Sequence, residues 1–272
     1  MAEQLVLGLE FSTQSAKAVA LGLESGAVVA TYQLTYDDAF PAYRTEGGVL
    51  PSEEPGLRHT SPTMLIEALD ELFRRMKADG LDLSRVAAIK LDAQQHCTVY
   101  TDESLAGRLA ELDAAKPLAA QVSAAFTRKT APIWEDRSTE REARLIENRL
   151  SGQGGIQQLT ANRAELRFPA SQVLKWGLED PKTYDETAHI LLLSAFVTSV
   201  LAGRVAPVDT GDGWGTNLNT IDIDEPGWNE TVIALIDEEL QTGGAKTALE
   251  PKLGEMDHYD APVGPVSSYF SR

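Results

Sequence analysis

An acid, three hydroxyls, an amide and a lysine stand together in Glu10-Phe11-Ser12-Thr13-Gln14-Ser15-Ala16-Lys17, where an apolar run ends. A strand that ends in an acid and enters a turn rich in hydroxyls and backbone N–H groups can cradle phosphate. The acid can hold magnesium through water, and Ser12, Thr13, Gln14 and Lys17 can donate to phosphoryl oxygens. The competing reading is a polar hairpin turn with Lys17 in solvent. A second group, Asp92-Ala93-Gln94-Gln95-His96-Cys97, comes after another apolar run. Ligands gather beyond the carboxyl ends of strands in α/β sheets, so amides and an imidazole placed there can hydrogen-bond hydroxyls. Adjacent His96 and Cys97 do not readily chelate one metal together, which argues against zinc.

The third group is Pro207-Val208-Asp209-Thr210-Gly211-Asp212-Gly213-Trp214-Gly215-Thr216. Glycine on both sides of Asp212 lets the backbone turn sharply and leaves the carboxylate uncovered, as a general base that must reach a hydroxyl requires. A calcium loop fails on spacing, because Thr220 stands where the twelfth-position Glu would be, counting from Asp209. The remaining alternative is a glycine-rich loop with a solvated aspartate. Gly152 to Gly155 lies between helical patterns rather than after a strand, so it does not read as a dinucleotide loop. Trp134 and Trp176 read as core aromatics, and Arg163 and Arg167 as exposed by default.

The elements that must hold these groups are set by the apolar pattern. Leu5 to Leu9, Ala18 to Leu23 and Val28 to Leu34 predict an antiparallel three-stranded meander, with a tight turn at Ser12 to Ser15 and a hairpin turn at Ser25-Gly26. Residues 37–59 carry Gly47, Gly48, Pro51, Pro55 and Gly56 and predict a loop with one short strand. Ser61 as N-cap and Pro62 at the first helical position open a helix whose Leu65, Leu69, Leu72, Phe73 and Met76 share a face, and Gly80 ends it. Val86 to Leu91 predicts a further strand. Ser138 caps a helix to about Leu150, Ala170 to Leu178 forms another, and Ser194 to Leu201 a third after Ile190 to Leu193. The expected fold class is α/β, one domain with a mixed sheet and an elaborated helical second half.

The charge narrows the partners. With 24 basic residues against 41 acidic, the formal charge is −17, which opposes long-range attraction to nucleic acid or anionic lipid. No apolar run is long enough to span a bilayer, so no membrane is expected. The single cysteine, Cys97, fits a reducing cytoplasm.

In this order, the Phe-Ser-Thr-Gln turn, the Gln-Gln-His after a strand, Trp134-Glu135-Asp136-Arg137, the Arg163 segment and the Gly-Asp-Gly-Trp-Gly loop resemble the FGGY carbohydrate kinases, the xylulose kinases most of all. The likeness runs from about Gln4 to the end. It implies the ribonuclease-H-like fold of sugar kinases and actin-like ATPases, with residues 1–272 as the amino-terminal substrate-binding domain and the ATP-binding domain outside them. It implies transfer of the γ-phosphoryl of ATP, with Mg2+, to a ketopentose, D-xylulose first, with ribulose, another sugar or a polyol, or a non-catalytic sugar-binding lobe, as alternatives. Asp212 would be the base, Asp209 a second candidate, and Gln95, His96 and Arg163 would bind the open-chain sugar. Glu10 stands where family members carry Asp, which moves the carboxylate by about one C–C bond, ~1.5 Å. The face that a second lobe would cover is a candidate homodimer surface.

Overall fold

The computed structural model describes residues 2–222 and 224–270. Met1, Ile223, Ser271 and Arg272, which fall within the expected 1–272 domain, lie outside the described residues. Strands β1 (Leu5–Phe11), β2 (Ser15–Gly22) and β3 (Val28–Thr35) form the meander, and β4 (Val86–Ala93) adds to it parallel to β1, in the order β3-β2-β1-β4. Alternation dictates the sidedness: Leu5, Leu7, Leu9 and Phe11 of β1 and Ala16, Ala18 and Ala20 of β2 are buried on one face. Helix α1 (Pro62–Ala78) covers that face, packing on β2 and β3. Ser61 caps it as predicted, its hydroxyl accepting from the Met64 N–H, and Leu65, Leu69, Leu72 and Met76 are buried against the sheet. The helix stops at Ala78, where Gly80 at φ +78° lets the chain turn back.

Beyond β4 the chain forms β5 (Thr98–Thr101), then α2 (Glu140–Leu150), α3 (Pro169–Glu179), β6 (His189–Leu192), α4 (Leu193–Ala202) and α5 (Glu230–Thr242). Strands β5 and β6 pair antiparallel, Thr98 opposite Leu192. Helix α4 leaves β6 without a loop and packs against β4, which brings the start of α4 to the end of the main sheet. One buried cluster unites the sheet, α1 and α4, and a second unites α2, α3, β6 and α5. The mixed sheet and the helical second half match the expected fold class.

Three local expectations are corrected. Ser138 does not cap α2: its hydroxyl donates to Asp136 at 2.7 Å, and the cap position belongs to Thr139, which makes no side-chain cap bond. The carboxylate two residues away offers a charged acceptor, a stronger partner than a helix N–H offers to a hydroxyl. Trp134 is not a core residue, being 45% exposed, whereas Trp176 is buried. Residues 37–59 hold, besides the short strand His59–Thr60, a helical turn Tyr36–Ala39 and a tight Glu46–Val49 hairpin.

Candidate active site

The turn between β1 and β2 is closed by its own residues. Ser12 donates its N–H and its hydroxyl to the Ser15 carbonyl, at 3.0 and 2.9 Å, so this hydroxyl is engaged inside the turn. Thr13 keeps its hydroxyl proton for an outside partner, because its Oγ1 accepts from the Trp134 indole N–H at 2.8 Å. Glu10 and Lys17 face each other across β1 and β2 and form an ion pair at 2.9 Å, both about two-fifths exposed. On the other side of β1, Glu10 is in register with Asp92, so two carboxylates emerge at the carboxyl ends of neighbouring parallel strands.

Trp134 is held in place through Asp136, two residues along the chain. Asp136 is fully buried and accepts from the Arg58 N–H, the Ser138 N–H and hydroxyl and the Gln172 amide. Burial alone would raise this carboxyl, but the hydrogen bonds outweigh it and hold it below the usual aspartate range. The segment is thereby pinned, and the indole edge is carried to Thr13.

At the end of β4 the chain turns through His96, whose φ of +64° is a left-handed conformation uncommon outside glycine. The ring is buried against Phe168, centroids 4.4 Å apart, and Nδ1 lies 2.8 Å from the Gly215 carbonyl. A carbonyl only accepts, so Nδ1 carries the proton and Nε2 presents a lone pair. Burial pushes the imidazole down to about 4, which keeps it neutral at physiological pH. Gln95 is exposed beside it, while Gln94 is buried with neither amide atom partnered among the described residues. A buried amide with no partner costs on the order of 1–3 kcal/mol, so a polar ligand or water offsets a penalty already present.

The glycine loop closes on these groups. Asp209 accepts from the Asp212 N–H at 3.1 Å and so caps the short helical turn Thr210–Gly213. Asp212 accepts from the Ser194 hydroxyl at the start of α4. Burial is the largest influence on its carboxyl and raises it; Asp209 and Asp92 raise it further, Ser194 lowers it, and it settles at about 6. Gly215 is required because a Cβ there would lie 2.8 Å from the His96 ring. His96 and Asp212 are thus joined through one four-residue stretch, as the spacing of the motifs predicted only in order.

Arg163 stands apart. Its segment docks on the glycine loop, Asn162 donating to the Trp214 carbonyl at 3.0 Å and the Glu165 N–H to Asn217 at 3.3 Å. Yet the Arg163 side chain is 79% exposed and paired with Glu165 at 2.6 Å. Arg167, not Arg163, acts on His96 electrostatically and helps hold the imidazole neutral. A groove of about 820 Å³ between β4, α4 and residues 257–266 reaches Ser194 and Asp209 at one end, but its walls, including Val6, Ile89 and Leu201, are chiefly apolar and ill suited to a polyol.

The residues present fit a polyhydroxy ligand better than a metal. His96 Nε2, Gln94 and Gln95 offer acceptors and donors at one strand end, and Asp212 offers a carboxylate able to take a proton near neutrality. Among the described residues no three His, Cys, Asp or Glu side chains cluster as a metal cage. Glu10 and Asp92 can serve a magnesium ion only in the manner of one or two carboxylates completed by phosphate and water, with Lys17 turned away. Among the described residues no helix is long and apolar enough to cross a membrane.

No family profile matches the chain. Its sequence is 32% identical to xylulose kinase 2 of Arabidopsis thaliana over 98% of this chain, 33% to the mouse xylulose kinase and 34% to the rat xylulose kinase, each over 97%. It covers 46%, 46% and 47% of those proteins, so the chain spans about half the length of the curated relatives it matches. In fold it superposes on a gluconate kinase from Lactobacillus acidophilus with a TM-score of 0.74 at 13% identity, covering 99% of this chain and 45% of that one. A ligand-bound xylulose kinase from the same organism gives 0.70 at 15%, covering 98% and 44%. These structures share the ribonuclease-H-like fold of sugar kinases, and the sequence likeness to the xylulose kinases runs nearly the whole length of this chain.

Proposed function

We propose that this chain is the substrate-binding domain of an ATP-dependent ketopentose kinase, acting on D-xylulose, with the nucleotide held by a second domain outside these residues. The observation that carries the proposal is the placement of His96 and Asp212 at one glycine loop: a neutral imidazole whose Nδ1 is held by the Gly215 carbonyl, leaving the Nε2 lone pair to a ligand, and, three residues before Gly215, a half-buried carboxylate raised to about 6. Gln94, Gln95 and His96 bind the sugar hydroxyls, and Arg163 joins them on leaving Glu165. Asp212 orients the acceptor hydroxyl and takes its proton. Glu10 would hold a magnesium ion, which when bound would supply positive charge beside the transferred group; the Thr13 hydroxyl, Gln14 and Lys17 donate to that group's oxygens, since phosphoryl transfer depends on positioning and electrostatics. The acidic surface and lone buried cysteine suit a cytoplasmic enzyme.

The Ser194 hydrogen bond favours a second reading for one residue. A carboxylate oxygen already holding the hydroxyl at the start of α4 is placed to fix the glycine loop, so that Asp212 positions His96 and the base comes from the second domain. Coupled ADP release by the complete protein, with D-xylulose, D-ribulose and glycerol as acceptors, tests the function. Turnover fastest with D-xylulose supports it, and ADP release unaffected by any sugar contradicts it. Asp212→Asn separates the two roles: a base loses ~10²-fold or more in kcat, a positioning group much less.

A further inference from the structure

Asp37 is engaged in a way that the sugar and phosphate chemistry does not absorb. Its carboxylate accepts from Thr45 Oγ1 at 2.7 Å, the Gly47 N–H at 2.7 Å and the Gly48 N–H at 3.0 Å. Gly47 and Gly48 are the tip of a two-residue hairpin, Glu46 and Val49 exchanging both backbone bonds, with φ of +60° and +80°. Successive N–H groups in such a tip form a concavity that takes anions. Here the anion is the chain's own carboxylate, so the tip is not a second phosphate cradle.

The tip rests on the β1–β2 turn. A Cβ on Gly48 would lie 1.9 Å from the Thr13 carbonyl oxygen and 3.1 Å from the Tyr36 ring, and one on Gly47 3.5 Å from the Gln14 amide. Tyr36, next to Asp37 and fully buried, donates its N–H to the Gln14 carbonyl at 3.0 Å. Thr13 and Gln14 are therefore gripped by the segment that Asp37 ties together, while Trp134 holds the Thr13 hydroxyl. Burial raises the Asp37 carboxyl, but the bonds from Thr45, Gly48 and Gly47 outweigh it and leave it below the ordinary range, so the latch stays charged at neutral pH.

We propose that Asp37 is a positioning residue for the Ser12–Ser15 turn, acting through the Gly47-Gly48 tip to set where Thr13 and Gln14 meet the transferred phosphoryl group. This rests on the proposed role of the turn. A misplacement of about 1 Å can cost ~100-fold in rate, and Gly48 leaves less room than that.

The test compares Gly48→Ala and Asp37→Asn with Gly26→Ala, which has a similar φ of +64° but open space around it, in the complete protein. Two readouts are taken: ADP release with D-xylulose, and the indole N–H resonance of Trp134, assigned by its loss in Trp134→Phe. Gly48→Ala is expected to lower kcat ~100-fold and Asp37→Asn ~10-fold, with KM for the sugar unchanged and the Trp134 resonance shifted in both. Gly26→Ala lowers only the Tm. Should Gly48→Ala not fold, Thr45→Ala, which removes one of the three donors, must shift the same resonance. An unmoved Trp134 resonance and unaltered kcat in Asp37→Asn and Thr45→Ala overturn the proposal. A wild-type protein without turnover on any sugar removes the kinase reading instead, and the resonance still decides whether the latch sets the turn.

Discussion

The molecule keeps two acids at the carboxyl ends of its elements in opposite surroundings. Glu10, at the end of β1, is about two-fifths exposed and answered by Lys17 across the hairpin. Asp212 sits at the start of α4 with the carboxylates of Asp209 and Asp92 nearby, and its carboxylate accepts from the Ser194 hydroxyl. The first arrangement keeps a fixed charge where a metal or a phosphate can exchange partners with it. The second raises proton affinity toward neutrality, which is what proton transfer needs and what electrostatic anchoring does not. In the proposed function, the first side therefore anchors charge and the second moves a proton.

Breaking the second side has the largest expected effect. Asp212→Asn is predicted to lower kcat by ~10²–10⁴-fold with D-xylulose in steady-state assays of the complete protein. The same substitution is predicted to stabilise the fold. A carboxyl raised from 3.8 to about 6 binds its proton more tightly in the native state than in the unfolded chain, so stability falls as pH rises from about 4 to about 6 and stays low above. The gap corresponds to at most ~3 kcal/mol, so Asp212→Asn should gain stability toward that value at pH 8 and gain nothing at pH 4, measured by denaturant titration. Ser194→Ala sharpens the point, because it removes the one bond that lowers Asp212: the acid limb of the pH–rate profile should move to higher pH.

Effects on the first side are smaller. Trp134→Phe removes the indole donor to Thr13 and should lower kcat by about 2–10-fold, the equivalent of one hydrogen bond of ~0.5–1.5 kcal/mol. Lys17→Met breaks a partly exposed pair and should change stability by less than ~1 kcal/mol. Its Tm should sit within a few degrees of wild type, whereas a large loss would mean that Glu10 cannot stand unpaired and is no candidate for magnesium.

The contrast is only partly legible in the residue order. Period-two alternation in Leu5 to Leu9 and one-faced spacing from Leu65 to Met76 are local signals, and the meander, β4 and α1 obey them closely. The pairing of Glu10 with Lys17 is fixed by the hairpin register once the turn is seen. Trp134 is not legible as a surface group, because its exposure depends on Asp136 collecting donors from Arg58 and Gln172, far away in sequence. Ser194 is not legible as a partner of Asp212, since nothing local links the start of α4 to a loop eighteen residues on. Arg163 matches a motif, yet Glu165, two residues away, takes its guanidinium in this state. Local pattern sets elements; tertiary contacts decide which polar groups meet.

The central claim is that this chain carries the ketose site. Calorimetric titration of the chain with D-xylulose, for wild type and His96→Ala, tests it most directly. Saturable binding at one site, weakened tenfold or more by His96→Ala, is the predicted result; no binding, or binding that His96→Ala leaves unchanged, contradicts it.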